Sequence, residues 1–140
     1  MRRTITMLLT VVVLALPVAD AVAAVKTTKK KVIVVTKKFT GTAFEAGRWG
    51  PLQVTITVRK TTTITGAKRK VTRKMKAVAV PTYPNHTDRS VFINSQALPI
   101  LKSEALHAQS AYIDMVSGAT DSSEAFAQSL QSAILKAKHA

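Results

Sequence analysis

The sequence has no cysteine. That absence excludes disulfide bridges, thiolate metal ligands, iron–sulfur clusters and lipidation of a lipoprotein-type cysteine together, so any redox chemistry must be carried by a bound cofactor. Acidic residues are scarce: 7 Asp and Glu stand against 21 Lys and Arg, giving a formal charge of +14. The three histidines, His86, His107 and His139, lie far apart without metal-ligand spacing, and no metal site is expected. Aromatic residues are missing from residues 59–76, the most basic stretch. A nucleic-acid surface would interleave stacking aromatics with its phosphate contacts, so no nucleic-acid partner is expected. The stretch reads as a solvated basic face, suited to anionic cell-surface polymers or lipids. Ser117 has neither a G-x-S-x-G elbow nor a paired His and acid, which removes hydrolase chemistry.

Long apolar runs are also rare. Residues 7–16 are almost entirely apolar, follow Arg2 and Arg3, and precede the small-x-small site Ala21-Val22-Ala23. This is the pattern of a secretory signal peptide over residues 1–23. Pro17 and Asp20 disfavour the competing reading, an uncleaved membrane anchor. Losing Arg2, Arg3 and Asp20 would lower the net charge by only one, so the basic excess belongs to the mature chain. The expected location is outside the cytoplasm, periplasmic or extracellular at the cell surface, with membrane association possible on the charge.

Beyond that segment, residues 24–38 read as a basic linker and a first strand, the strand itself spanning residues 32–39, which are rich in β-branched side chains. Leu52, Val54, Ile56 and Val58 alternate with Gln53, Thr55, Thr57 and Arg59, the period of a half-buried strand. Residues 61–76 suggest a hairpin turning at Gly66-Ala67, with residues 75–80 returning into the sheet until Pro81 and Pro84 end it. Residues 88–109 read as a helix bent or interrupted near Pro99, with Ile100, Leu101 and Leu106 packing on the sheet. A last helix over residues 121–138 places Phe126, Leu130, Ala133 and Ile134 on one stripe, with Asp121 and Glu124 in its first turn and Lys136 and Lys138 in its last. The expected class is α+β: a small antiparallel sheet with two or three packed helices, preceded by a signal peptide.

The most informative run is Asp114-Met115-Val116-Ser117-Gly118-Ala119-Thr120, immediately before that last helix. Thr120 offers a hydroxyl where unpaired backbone N–H groups and the positive end of the helix dipole favour a phosphate. On residues alone, an ordinary turn with an N-cap explains the pattern as well.

Over Arg89-Ser90-Val91-Phe92-Ile93-Asn94-Ser95-Gln96-Ala97-Leu98-Pro99-Ile100-Leu101 and the Thr120 motif, the chain resembles the small exported FMN-binding domain family. That family is related to the flavin-carrying C subunit of the sodium-translocating NADH:quinone oxidoreductase and to the G subunit of the Rnf complex. The resemblance implies that residues 39–140 form an FMN-binding domain and that FMN is held as a phosphoester on Thr120, with Ser117, Gly118, Ala119 and Asp114 as further cofactor-site residues. It also implies a flavin transferase that uses FAD, a membrane or extracytoplasmic redox partner, and the role of an electron carrier rather than a self-sufficient enzyme. Two departures stand out: a longer Thr- and Lys-rich stretch between Lys60 and Lys76, and Asp121-Ser122 where the family has an aromatic or apolar residue followed by Thr. The alternative reading is a non-catalytic basic surface-binding protein of the same fold with little or no flavin. Trp49, Tyr83, Phe92 and Tyr112 are candidates to stack on a ring, and Arg48 and Arg89 to counter negative charge, though core packing is the better explanation of each aromatic and ordinary surface of each arginine.

Overall fold

The computed structural model describes residues 29–140; the expected signal peptide and residues 24–28 of the expected linker lie outside them. The described residues divide into two units, one of Val32–Thr63 with Lys70–Ala140 and one that includes Ile64–Arg69. In the second, residues 64–69 hold the expected turn, where Gly66 takes φ +62°, a left-handed conformation that glycine adopts without steric cost.

The first unit is α+β. Four strands, β1 (Lys30–Thr40), β2 (Phe44–Glu45), β3 (Pro51–Thr65) and β4 (Lys68–Thr82), are followed by helices α1 (Asp88–Ala108) and α2 (Thr120–Lys138). β3 is the common partner of β1, β2 and β4, and β2 pairs with it antiparallel in the register Phe44↔Leu52. The alternation read from the sequence is realised: Leu52, Val54, Ile56 and Val58 are buried on one face of β3. Met75 and Val80 of β4 join them. Facing this layer are Leu98, Leu101 and Ala105 from α1 and Phe126, Leu130 and Ala133 from α2.

Three expectations change. Pro81 lies inside β4 rather than ending it. Among the described residues β4 pairs only with β3, and an edge strand tolerates a residue that cannot donate to a ladder. Pro99 does not interrupt α1, which runs unbroken past it. Buried Ala97, Leu98 and Leu101 hold the helix on both sides of the missing hydrogen bond. Ile100 does not pack on the sheet and is 50% exposed. The buried stripe of α1 is Ser90, Asn94, Ala97, Leu98, Leu101 and Ala105, and a 3.6-residue period turns Ile100 away from it.

Where β1 gives way to β2, helix α2 touches the sheet backbone directly. Val54 donates its N–H to Ser129 Oγ at 2.8 Å, while its carbonyl accepts from Gly41 N–H at 2.8 Å. Gly41 is buried, and a Cβ there would overlap the Ser129 carbonyl, so only glycine permits the approach. Nearby, Thr42 N–H donates to Ser132 Oγ at 3.0 Å and Lys136 Nζ to the Thr40 carbonyl at 2.7 Å. At the far end of α1, the Gln109 side chain acts as a substitute strand residue. Its Oε1 accepts from Met75 N–H at 2.8 Å and its Nε2 donates to Met75 O at 2.9 Å.

These contacts predict a ranking by chemical denaturation. Ser129→Ala strands the buried Val54 N–H and should cost about 1–3 kcal/mol. Phe126→Ala should cost about 3–5 kcal/mol through its cavity. Ile100→Ala should stay within about 0.5 kcal/mol. A Ser129→Ala protein as stable as the parent would remove the Val54 contact from the forces that dock α2.

Candidate functional site

The segment before α2 is a closed turn. Ala119 N–H donates to the Val116 carbonyl at 2.9 Å, and Ser123 N–H to the Ala119 carbonyl at 2.9 Å. Ser123 then ties the turn from within the helix. Its Oγ donates to the Ala119 carbonyl at 2.7 Å and accepts Val116 N–H at 3.0 Å. Gly118 takes φ +84° with open space around its missing Cβ, so the backbone conformation, not crowding, calls for glycine there. The outcome is a fixed exit for Thr120, the first residue of α2, whose side chain is exposed.

Ala119 occupies the N-cap and supplies no side-chain cap. The first amide N–H groups of α2 therefore lack an intrahelical acceptor. They open on a cavity of about 570 Å³ whose lining includes Gly118, Ala119, Thr120, Asp121 and Ser122. The N-terminal part of α1 forms another wall with Arg89, Ser90, Ile93 and Asn94. That helix is started by Thr87, whose Oγ1 accepts Ser90 N–H at 3.0 Å. The third wall is the turn between β2 and β3, closed by Ala46 N–H on the Gly50 carbonyl at 2.8 Å, which brings Arg48 and Trp49 to the cavity. The Arg48 guanidinium lies 5.2 Å from the Trp49 ring centroid, within cation–π range.

Charge in this cavity is unequal. Two guanidiniums and a helix N-terminus favour an anion, against one carboxylate, Asp121. That carboxylate sits where a Cβ on Gly47 would meet it, and Gly47 holds φ +59°. A side chain at Gly47 would be strained and would push on Asp121.

Of the site residues read from the sequence, Gly118, Ala119 and Thr120 line the cavity, whereas Asp114 and Ser117 are exposed and outside its lining. Arg48, Arg89 and Trp49 are brought to it. Phe92 is 64% exposed and Tyr112 94% exposed, and neither these nor Tyr83 lines it. Ser123, Ser90 and Asn94 are not among the candidate site residues read from the sequence. Their signal was present: Ser90 and Asn94 fall four residues apart on the stripe that continues through Leu98 and Leu101, so polar residues occupy core positions. Among the described residues there is no group of three or more His, Asp or Glu that could hold a metal, and no helix long and apolar enough to cross a membrane.

Ser123→Ala removes both bonds that pin the turn and leaves Val116 N–H without its acceptor. Its amide should exchange with solvent at least about tenfold faster, the equivalent of about 1.4 kcal/mol of lost local protection. Unchanged exchange at Val116 would show that another contact holds the turn. Gly118→Ala should destabilise the fold by about 1 kcal/mol through its backbone conformation alone.

Among curated proteins, none matches the chain. A family model described as the FMN-binding domain matches residues 47–135, a span that runs from the Gly47 turn through both helices and contains every wall of the cavity. The chain belongs to the FMN-binding domain family.

Proposed function

We propose that the domain carries FMN joined through a phosphoester to Thr120 and serves as an exported electron carrier. One observation carries the attachment: Thr120 opens an uncapped helix on a cavity that also receives Arg48 and Arg89. The residues present fit the group. Free N–H donors and two guanidiniums suit a phosphate diester, Trp49 and Ile93 supply apolar surface for a ring system, and about 570 Å³ lies within the usual range for small-molecule sites.

Attachment is a phosphoryl transfer. Thr120 Oγ bonds to the phosphorus of the FMN half of FAD, the pyrophosphate P–O bond breaks, AMP leaves, and the hydroxyl proton passes to the flavin transferase. The β-branch of Thr120 restricts the directions open to its oxygen, and the Ser123-pinned turn restricts them further. Bound FMN supplies the electron chemistry, which the side chains of a cysteine-free chain do not offer. Apolar residues 7–16 behind Arg2 and Arg3 support export, and an exported carrier would meet its redox partner in or outside the membrane.

Asp121 sets a brake on this site. Its carboxylate shares the first turn of α2 with the attachment residue, so it competes with the phosphate for the same helix end and the same arginines. The effect is modest because the group is exposed and screened.

Co-expression with a flavin transferase should give one denaturation-resistant flavin per chain. Thr120→Ala should abolish it while the circular dichroism of the fold is retained, and Thr120→Ser should keep part of it. Labelling of Thr120→Ala equal to the parent would place the attachment elsewhere. Asp121→Asn should speed labelling by roughly two- to fivefold at low salt, equivalent to about 0.4–1 kcal/mol, and the gain should shrink in 1 M salt. A rate insensitive to Asp121 at both ionic strengths would remove the brake from the account.

A further inference from the structure

Asn94 is 2% exposed, on the inner stripe of α1, and forms part of the cavity wall. Its amide has one sensible orientation. Nδ2 donates to two carbonyls, Pro84 O at 2.9 Å and Ser90 O at 3.0 Å, and a flipped amide would set its oxygen against both. The orientation leaves Oδ1, the buried side-chain oxygen that has no hydrogen-bond partner among the described residues. Buried acceptors are nearly always satisfied, and an orphaned one is costly. Packing alone would be served better by an apolar residue, as it is at Leu98 and Leu101 on the same stripe.

The surroundings restrict what can satisfy Oδ1. It needs a donor. The cavity's buried wall is polar, with Ser90 and Ser122 also buried, and Ser90 Oγ is already engaged with Thr87 Oγ1 at 2.7 Å. Apolar lining comes instead from Trp49 and Ile93. A ligand anchored by phosphate at the α2 N-terminus, with a hydroxylated chain next to the phosphate and a ring beyond it, matches this division of polar and apolar wall.

We propose that Asn94 is a cofactor-binding residue whose Oδ1 accepts a hydrogen bond from a hydroxyl of the ribityl chain of FMN. The proposal rests on FMN occupying this cavity. Because Pro84 and Ser90 already clamp the amide on a helix, its orientation is set before the ligand arrives and little side-chain entropy is lost on binding. Oδ1 itself is buried, so the ligand hydroxyl reaches it as the cavity wall gives way. Asn94 thereby selects for the polyol, whereas the helix N-terminus and the arginines respond to any phosphate.

The test uses the Thr120→Ala protein, which lacks the proposed attachment hydroxyl, titrated with free FMN, with FMN analogues each lacking one ribityl hydroxyl, and with N3-methyl-FMN, binding being read from flavin fluorescence. One deoxy analogue should bind about five- to tenfold more weakly than FMN, as expected for one net hydrogen bond. N3-methyl-FMN should bind as FMN does. Adding Asn94→Ala should weaken FMN by a similar factor and leave that deoxy analogue nearly unaffected. Deoxy analogues that all match FMN would overturn the proposal, as would an Asn94→Ala loss shared equally by every ligand, which would mark a purely structural clamp. Weaker binding of N3-methyl-FMN alone would assign the donor to the ring and overturn the ribityl contact. Should Asn94→Ala fail to fold, the analogue series on the Asn94-containing protein decides by itself. Failure to bind FMN at all would remove the FMN assignment together with this one, whereas FMN binding without hydroxyl discrimination removes only this one.

Discussion

The peptide group of Val54 is the contact on which the arrangement turns. Its carbonyl is held by Gly41, just past the end of β1, and its N–H by Ser129 from the helix. One residue of β3 thus fixes α2 in height and along its axis. The approach is close because Gly41 has no side chain and Ser129 a short one. Hydrophobic burial of Phe126, Leu130 and Ala133 supplies most of the attraction, but that attraction is not directional. The hydrogen bond fixes the register, and with it the place where the first turn of α2 emerges.

From that register the cavity follows. α2 begins at Thr120 because the preceding turn is tied back by Ser123, and a turn tied from inside the helix leaves the cap position to Ala119, which has nothing to donate or accept through its side chain. The helix end is therefore left for a ligand. α1 is treated in the opposite way, since Thr87 caps it. Two helices of similar length differ at their starts, and the uncapped one begins at Thr120, the proposed attachment residue.

Much of this was legible in the residues. The period of two in β3 marked both the strand and its buried face, and the Phe126–Leu130–Ala133 stripe marked α2 and its inner side. Burial at the sheet margin was not legible: Val32, Ile33, Val34 and Val35 have strong strand propensity, yet each is 39% exposed or more, because propensity reports how well a side chain suits a pleated surface in general and not what lies opposite it in this fold. Pro99 and Pro81 were read as breakers by local rules and are accommodated by tertiary packing and an edge position. Asp114 and Ser117, named from the motif, lie outside the cavity lining, whereas Asn94 and Ser90 reach it from another helix. Gln109 could not have been recognised as a substitute for a strand residue, since its partner Met75 is 34 positions away.

The distances along the chain across the α2 contacts have a consequence for assembly. Val54 waits for a partner 75 residues later, Thr42 for one 90 residues later and Thr40 for one 96 residues later. The sheet is thus unfinished until nearly the whole chain is available. Contacts this remote incur the loop-closure entropy first and return stability last. The turn before Thr120, held by the same helix, belongs to that late event. If Thr120 is the attachment residue proposed above, completion of the fold and readiness for the cofactor are one step.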